Sequence, residues 1–262
     1  MELRRIAATR YVTPLREGGS LPAVVEADDD GLYVLKFVGA GQGPKALVAE
    51  VVAGELARAL GFDVPEIAVV ELDPVIGRAE PDAEIQDLLL ASAGENLGVD
   101  FLPGALPFRP PAEPSPSPEL AAGIVWFDAL VTNVDRTAKN TNLLLWHRNL
   151  WMIDHGATLI FHHNWSDDVL KRARKPFPAI KQHVLLRWAT EILNIDAELR
   201  AMLTPDVIDG VLAAIPDGWL GDEPRFANAD DHRAAYRDYL LHRLESPRHW
   251  VEDAADAQAL SV

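Results

Sequence analysis

The sequence contains no cysteine, which excludes a disulfide framework and any thiolate metal site. Basic residues are also scarce: 24 Lys and Arg stand against 40 Asp and Glu, a formal net charge of −16. Such a chain repels a phosphate backbone, and its few basic residues are scattered apart from one short run, so a nucleic-acid partner is not expected. No apolar stretch approaches the roughly 18 residues that suggest a membrane span. The opening "MELRRIAATRYV" lacks the long apolar run of a secretory signal. These absences predict a cytoplasmic protein without a membrane span. What is present, 48% hydrophobic residues in a chain of 262, suffices for a substantial core arranged as one two-lobed unit or two small domains.

Proline and glycine punctuate the chain. "LPAVVEA" and "GLYVLKFV" are short β-forming runs separated by "DDDG", a turn with acidic residues and then Gly31 for a positive φ, so the spacing predicts a hairpin. Residues 44–60 have helical spacing, with Pro44 where a first turn tolerates it and Gly61 at the C-terminal cap position. "VPEIAVVEL" reads as another strand. The segment 103–118, "PGALPFRPPAEPSPSP", is too rich in proline for a helix or central strand and reads as a connection. "ELAAGIVWFDALV" follows as a helix that is apolar nearly all round and therefore buried. From Lys181 onward the segments "KQHVLLRWATEIL", "PDVIDGVLAAI", "ADDHRAAYRDYLLHRL" and the closing residues predict helices. The resulting outline is α+β: a small β-rich N-terminal lobe with one helix (1–102), the connection (103–118), and a mainly helical C-terminal lobe (119–262).

Just after the buried helix comes "VTNVDRTAKNTNLLLWHRNLWMIDHG", residues 131–156. "NLLLW" and "LWMID" flank His147 to Asn149 and predict a hairpin. Pairing Trp146 with Leu150 sets Asn142 opposite Asp154, a register that a one-residue slip would change. Asp154 then returns beside Asp135 and Asn140. Such a set of oxygen acceptors suits a hard divalent cation such as Mg²⁺, which keeps some sites for water or substrate phosphates. An Asp left off the metal could orient an attacking hydroxyl. Asp and Asn also cap ordinary turns, so no one of the three carries the reading alone; Asp-x4-Asn, a hairpin and Asp-x-Gly together form the catalytic and metal-binding loops of protein-kinase-like enzymes.

Other residues add to the picture. Alternation along "LYVLKFV" puts Val34, Lys36 and Val38 on one face of a strand and Leu35 and Phe37 on the other. A lysine in that setting needs a partner or an exposed edge. On the next helix, Glu50 shares a face with Leu47, Gly54 and Ala57 and points inward, whereas Glu55 lies with Arg58 on a more solvated side. "REGGS", with Gly18, Gly19 and Ser20, and "GAGQGPK", with Lys45 near a helix N-terminus, are glycine-rich candidates for phosphate contact. By position, the backbone at Asp100, Phe101 and Leu102 is a candidate for holding adenine. His162 and His163 are adjacent, which suits a capping or core role better than joint metal ligation. The one basic run, Lys171 to Lys175, reads as a solvated helix end that could also attract an acidic partner.

The stretch "NVDRTAKNTNLLL…WMIDHG", together with "YVLKF" and "GQGPKALVAEVVAGELARALGFDVPE", resembles the HipA-like serine/threonine kinases and, more distantly, the phosphatidylinositol kinases, over roughly residues 12–160. The resemblance implies a bilobal protein-kinase-like fold and a phosphotransferase using ATP and Mg²⁺. Residue by residue it makes Lys36 the lysine that touches nucleotide phosphates, Asp135 the catalytic aspartate, Asn140 a metal ligand and Asp154 the main metal ligand, with Glu50 as the ion-pair partner of Lys36. Asn133 stands where many protein kinases have His. The implied acceptor is a Ser or Thr hydroxyl of a protein; an antitoxin-like partner does not follow from the resemblance. A small-molecule or lipid kinase would keep Lys36, Asp135, Asn140 and Asp154, a nucleotide-binding regulator would bind ATP without turnover, and a metal-dependent hydrolase would not need Lys36.

Overall fold

The computed structural model describes residues 2–15, 21–111, 115–221, 223–245 and 247–261. Gly18, Gly19 and Ser20 lie outside them. Five strands form a closed barrel: β1 (Arg4–Pro14), β2 (Ala23–Ala27), β3 (Leu32–Lys36), β4 (Ile67–Leu72) and β5 (Gly94–Asp100), in the order β1-β2-β3-β5-β4. All neighbours are antiparallel except β1 and β4, whose parallel pairing closes the barrel. The sequence pattern does not reveal β1, because two register irregularities against β2 break its period of two. Ile6, Val25, Tyr33, Leu35, Phe37 and Val70 fill the interior.

The predicted β2–β3 hairpin is present, but Asp30 and not Gly31 carries the positive φ, at 63°. Asp tolerates that conformation. Gly31 answers a different constraint, since a Cβ there would sit 2.8 Å from the Tyr33 ring.

Among the described residues of 1–102 there are two α-helices where one was expected: α1 (Pro44–Ala59) and α2 (Ala83–Ala91). Short α2, capped by the Asp82 side chain on Glu84 N–H, places Ile85 and Leu89 against the barrel interior. The longer α1 starts on Pro44 and ends at Gly61, φ 83°, as its sequence requires. Every residue from Leu47 to Ala57 is buried, so α1 has no solvated side. Glu55, expected on one, is 4% exposed. Arg58 makes that burial possible, holding Glu55 at 3.2 Å and the carbonyls of Val64 and Pro65 at 2.9 Å each.

The proline-rich segment also contributes structure: β6 (Leu106–Pro107) pairs with β7 (Leu143–Trp146), which pairs with β8 (Asn149–Met152). Between them lies α3 (Pro118–Leu130), buried from Ala121 through Leu130 as its composition predicts. Among the described residues the remaining α-helices are α4 (Val169–Ala173), α5 (Ile192–Met202), α6 (Pro205–Leu212), α7 (Ala229–Leu244) and α8 (His249–Ala259). The continuous helix expected from Lys181 is instead two 3-10 turns at Pro178–Gln182 and Leu186–Trp188 followed by α5. His183 interrupts it, its backbone extended and its side chain turned inward. Among the described residues no helix is long and apolar enough to cross a membrane.

One core cluster is continuous from α1 and the outer face of β4 and β5 through α3 to α7 and α8. Arg243 of α7 is buried beside it, 2% exposed. The guanidinium donates to the carbonyls of Ala129 (2.5 Å) and Leu130 (2.6 Å) at the C-terminus of α3 and to Ala173 O (2.8 Å), and lies 5.1 Å above the Trp250 ring. Burial lowers its pKa to about 10. Carbonyls at a helix C-terminus lack partners within the helix, and a cation there also meets the negative end of the dipole. Arg243→Met leaves these carbonyls unpaired in the core, and denaturant unfolding should show a loss of about 3 kcal/mol.

Candidate functional site

Lys36 lies on β3 between β2 and β5, so it is not an edge lysine. Odd-numbered neighbours fill the barrel, and Lys36 points outward, beneath α1, where Glu50 awaits it. The Lys36 Nζ donates to Glu50 Oε1 and, at 2.7 Å, to Asp154 Oδ1. Glu50 is 2% exposed and also accepts the His155 backbone N–H. Three segments distant in the chain therefore meet on one ammonium. Burial would lower the pKa of Lys36, but the two carboxylates hold it above the usual lysine range. Burial would likewise raise the Asp154 carboxyl, which the Lys36 ammonium instead holds down at about 2. Glu50, more deeply buried, is raised.

The loop after α3 brings together a second group. Asp135 Oδ2 accepts from Asn140 Nδ2 at 2.7 Å and from Asn142 Nδ2 at 3.1 Å. The backbone closes the loop, with Thr137 N–H donating to Asp135 O at 2.8 Å and to Asn140 O at 2.9 Å. The predicted β7–β8 hairpin differs from expectation by one residue: Trp146 faces Asn149, and Asn142 O takes the Ile153 N–H at 3.1 Å. A two-residue turn, His147 (φ 48°) and Arg148 (φ 70°), matches the strand twist and sets this register. Asn142 and Asp154 both have positive φ, 47° and 54°, at the two ends of the hairpin.

Arg136 joins the two groups. Its guanidinium donates to Asn142 O and, at 3.3 Å, to Ile153 O, while Nε donates to Asp128 Oδ2 at 2.6 Å. Arg136, Asp128, His155 and His183 are buried polar residues that sequence reading passed over, and Asn142, read only as a register partner of Asp154, is buried as well. A signal existed for one of them, since Asp128 is the lone charge in the apolar run "LAAGIVWFDALV". Gly156 has a steric role: a Cβ there would come within 3.2 Å of Glu50 Oε1.

The remaining candidates lie apart from these groups or have other partners. Lys45 pairs with Glu223 at 3.0 Å. The backbone N–H groups of Asp100 and Phe101 donate to Glu66 O (2.8 Å) and Leu32 O (2.9 Å), beside the barrel strands, so both are already paired. Leu102 is buried and its carbonyl accepts from Ala105; among the described residues its N–H has no backbone acceptor. His162 is a core residue, bound to Tyr236 Oη at 2.9 Å. In the basic run, Arg172 donates to Asn164 O and Arg174 pairs with Glu245, while Lys171 and Lys175 are exposed, as for a solvated helix end.

For a divalent cation the donor chemistry fits: Asp154 has a half-exposed carboxylate, and Asn140 is exposed and, having given its amide nitrogen to Asp135, keeps its oxygen. No group of three or more His, Asp or Glu forms a self-contained metal site among the described residues.

The family model described as HipA-like kinase matches residues 9–253. The chain belongs to the HipA-like kinase family. No curated protein matches it in sequence. Among solved structures, the Helicobacter pylori proinflammatory kinase CtkA has a TM-score of 0.53 at 12% identity, over 99% of each chain, which shows a shared kinase fold. A Golgi casein kinase with Mn/ADP bound has a TM-score of 0.47 at 12% identity, over 94% of this chain and 74% of that one. Shewanella oneidensis MR-1 HipA, in complex with HipB and operator DNA, has 0.37 at 13% identity, over 93% and 67%. Residues 12–160 carried the resemblance in the sequence; the match to the HipA-like kinase family extends through α7 and into α8.

In this HipA-like kinase the loop rests on a neutral histidine. His183 Nδ1 accepts the Leu185 N–H at 3.0 Å, so its proton is on Nε2, which donates to Asp128 at 2.8 Å. Burial lowers the His183 pKa despite Asp128. A folded imidazole that protonates at lower pH than the unfolded one contributes stability that is complete above about pH 6.5 and declines as pH falls below it. His183→Gln should flatten the pH dependence of unfolding free energy between pH 6.5 and 5 by up to about 1.4 kcal/mol per pH unit, measured by urea titration at each pH.

Proposed function

We propose that this HipA-like kinase transfers the γ-phosphoryl group of ATP, with Mg²⁺, to a Ser or Thr hydroxyl of a protein. The observation that carries the reading is Lys36 held between Glu50 and Asp154, one ammonium fixed at the junction of β3, α1 and the loop after β8. A buried cation set by two carboxylates is suited to receive phosphate oxygens, because its position is determined before the ligand arrives. Asp154 and Asn140 would hold the cation, whose charge would offset that of the transferring phosphoryl group. Asp135 orients the acceptor: two Asn side chains occupy its Oδ2, which leaves Oδ1 to take the hydrogen bond of an incoming hydroxyl. The Leu102 N–H is the adenine donor of the three candidates, because the other two are already paired. In this reading residues 1–102 supply the nucleotide lobe and 119–262 the acceptor side.

Two measurements check it. ATP and Mg²⁺ together should raise the unfolding temperature, by an amount equivalent to about 2.7 kcal/mol at a hundred times the dissociation constant; neither alone should do so, and Asp154→Ala should abolish the rise. Asp135→Asn should retain the rise and lose about a hundredfold or more in turnover, followed as phosphate transfer to protein from radiolabelled ATP. A rise that survives Asp154→Ala would remove the metal assignment, and full turnover by Asp135→Asn would remove the acceptor assignment.

A further inference from the structure

Between α3 and β7 the chain has no helix and no extended strand, so side chains must define much of the shape of the Asp135 loop. One carboxylate collects them. Asp128 of α3 is fully buried; its Oδ1 accepts from Asn133 Nδ2 at 3.0 Å, and its Oδ2 from Arg136 Nε at 2.6 Å and His183 Nε2 at 2.8 Å. Each donor leads to a different element. Asn133 Oδ1 accepts the Asp135 N–H at 3.0 Å. Arg136 holds Asn142 O and Ile153 O, the last links before Asp154. His183 belongs to the 178–188 segment, which Val184 N–H ties to Arg136 O at 3.1 Å and an isolated bridge ties to Thr137.

Buried ion pairs are weak contributors to stability, since removing two charges from water offsets most of their attraction. Three donors on one carboxylate do impose a single geometry, and here the geometry imposed is that of Asp135 relative to the hairpin and to the 178–188 segment. We propose that Asp128, with Asn133 and His183, is a positioning residue of the phosphoryl transfer, fixing the Asp135 backbone and the 178–188 segment in one frame without taking part in nucleotide binding. The proposal rests on the reading of Asp135 as the group that orients the acceptor. It predicts a selective defect: a displaced Asp135 slows transfer, while Lys36, Glu50 and Asp154, which Asn133 and His183 do not touch, still hold the nucleotide.

The test uses the full chain with ATP·Mg²⁺ and water as the acceptor, so that no partner need be known. Phosphate release gives kcat and the KM for ATP, and the ATP·Mg²⁺-induced rise in unfolding temperature reports binding. Asn133→Ala leaves the Asp128–Arg136–His183 contacts intact and His183→Ala leaves Asp128–Arg136, so both are expected to fold even where Asp128→Asn does not. For each Ala variant kcat should fall about tenfold or more, with KM within about twofold and the temperature rise retained; His183→Gln, which keeps a donor at the Nε2 position, should recover most of the lost rate. Unchanged kcat, or kcat and binding lost together without rescue by Gln, overturns the positioning role. A wild type that binds ATP·Mg²⁺ and never releases phosphate overturns it as well, and a wild type that does not bind ATP·Mg²⁺ overturns the proposed function with it.

Discussion

A single ammonium group, Lys36 Nζ, sits where the barrel, the first long helix and the loop beyond the hairpin come together. Burying a lone cation there would cost several kcal/mol, and burying Glu50 without a cation would cost a similar amount. Each group therefore tolerates burial only in the presence of the other. Asp154 completes the arrangement from a half-exposed position, with its carboxyl held near pKa 2 by the lysine. The dependence extends outward: α1 must lie flat on the outer barrel face for Glu50 to reach Lys36, and the loop must turn through a positive φ at Asp154 to meet it. Gly156 suits the same point because a Cβ there would come within 3.2 Å of Glu50 Oε1.

The opposite wall is organised by α3. It is buried from Ala121 through Leu130, apolar there except for Asp128, and ends with carbonyls satisfied by Arg243, so its C-terminus is a fixed base for the Asp135 loop. The loop takes its shape from polar contacts with Asp128 and Arg136, which also hold the hairpin at Asn142 and Ile153. Two clusters of functional groups far apart in sequence are thus attached to one continuous core, and Arg136 is the side chain that touches both supports. Such dependence on a few buried polar groups concentrates specificity in a small number of geometries.

Much of this was legible in the sequence, for identifiable reasons. Hairpins, the buried helix and α1 follow from local period and turn chemistry, which involve neighbours a few residues apart. Asp135, Asn140 and Asp154 were visible by spacing, and Lys36 and Glu50 by their places in an alternating strand and a helical face. What escaped notice depended on distant partners. Asp128 could be seen as an odd charge in an apolar run, but nothing nearby in sequence indicates that His183, 55 residues later, donates to it. Likewise β1 closes a barrel through a parallel pairing with β4, and no local pattern encodes that pairing. The break in the helix expected from Lys181 has the same origin: its local periodicity is helical, and the inward turn of His183 toward Asp128 overrides it.

By itself the sequence determined which chemical groups are available and in what order: a lysine in a strand, a glutamate on the next helix, and an Asp-x4-Asn loop followed by a hairpin and Asp-x-Gly. These are properties of covalent order and short-range sterics, and they sufficed to indicate the family. Only the tertiary structure decided which groups share a proton donor, which backbone amides are already paired, as at Asp100 and Phe101, and in which register the hairpin returns. The physical reason is that a hydrogen bond or ion pair is selected by distances of about 3 Å between elements tens of residues apart. A one-residue slip in a strand costs nothing in local pattern, yet it changes which side chain faces the site.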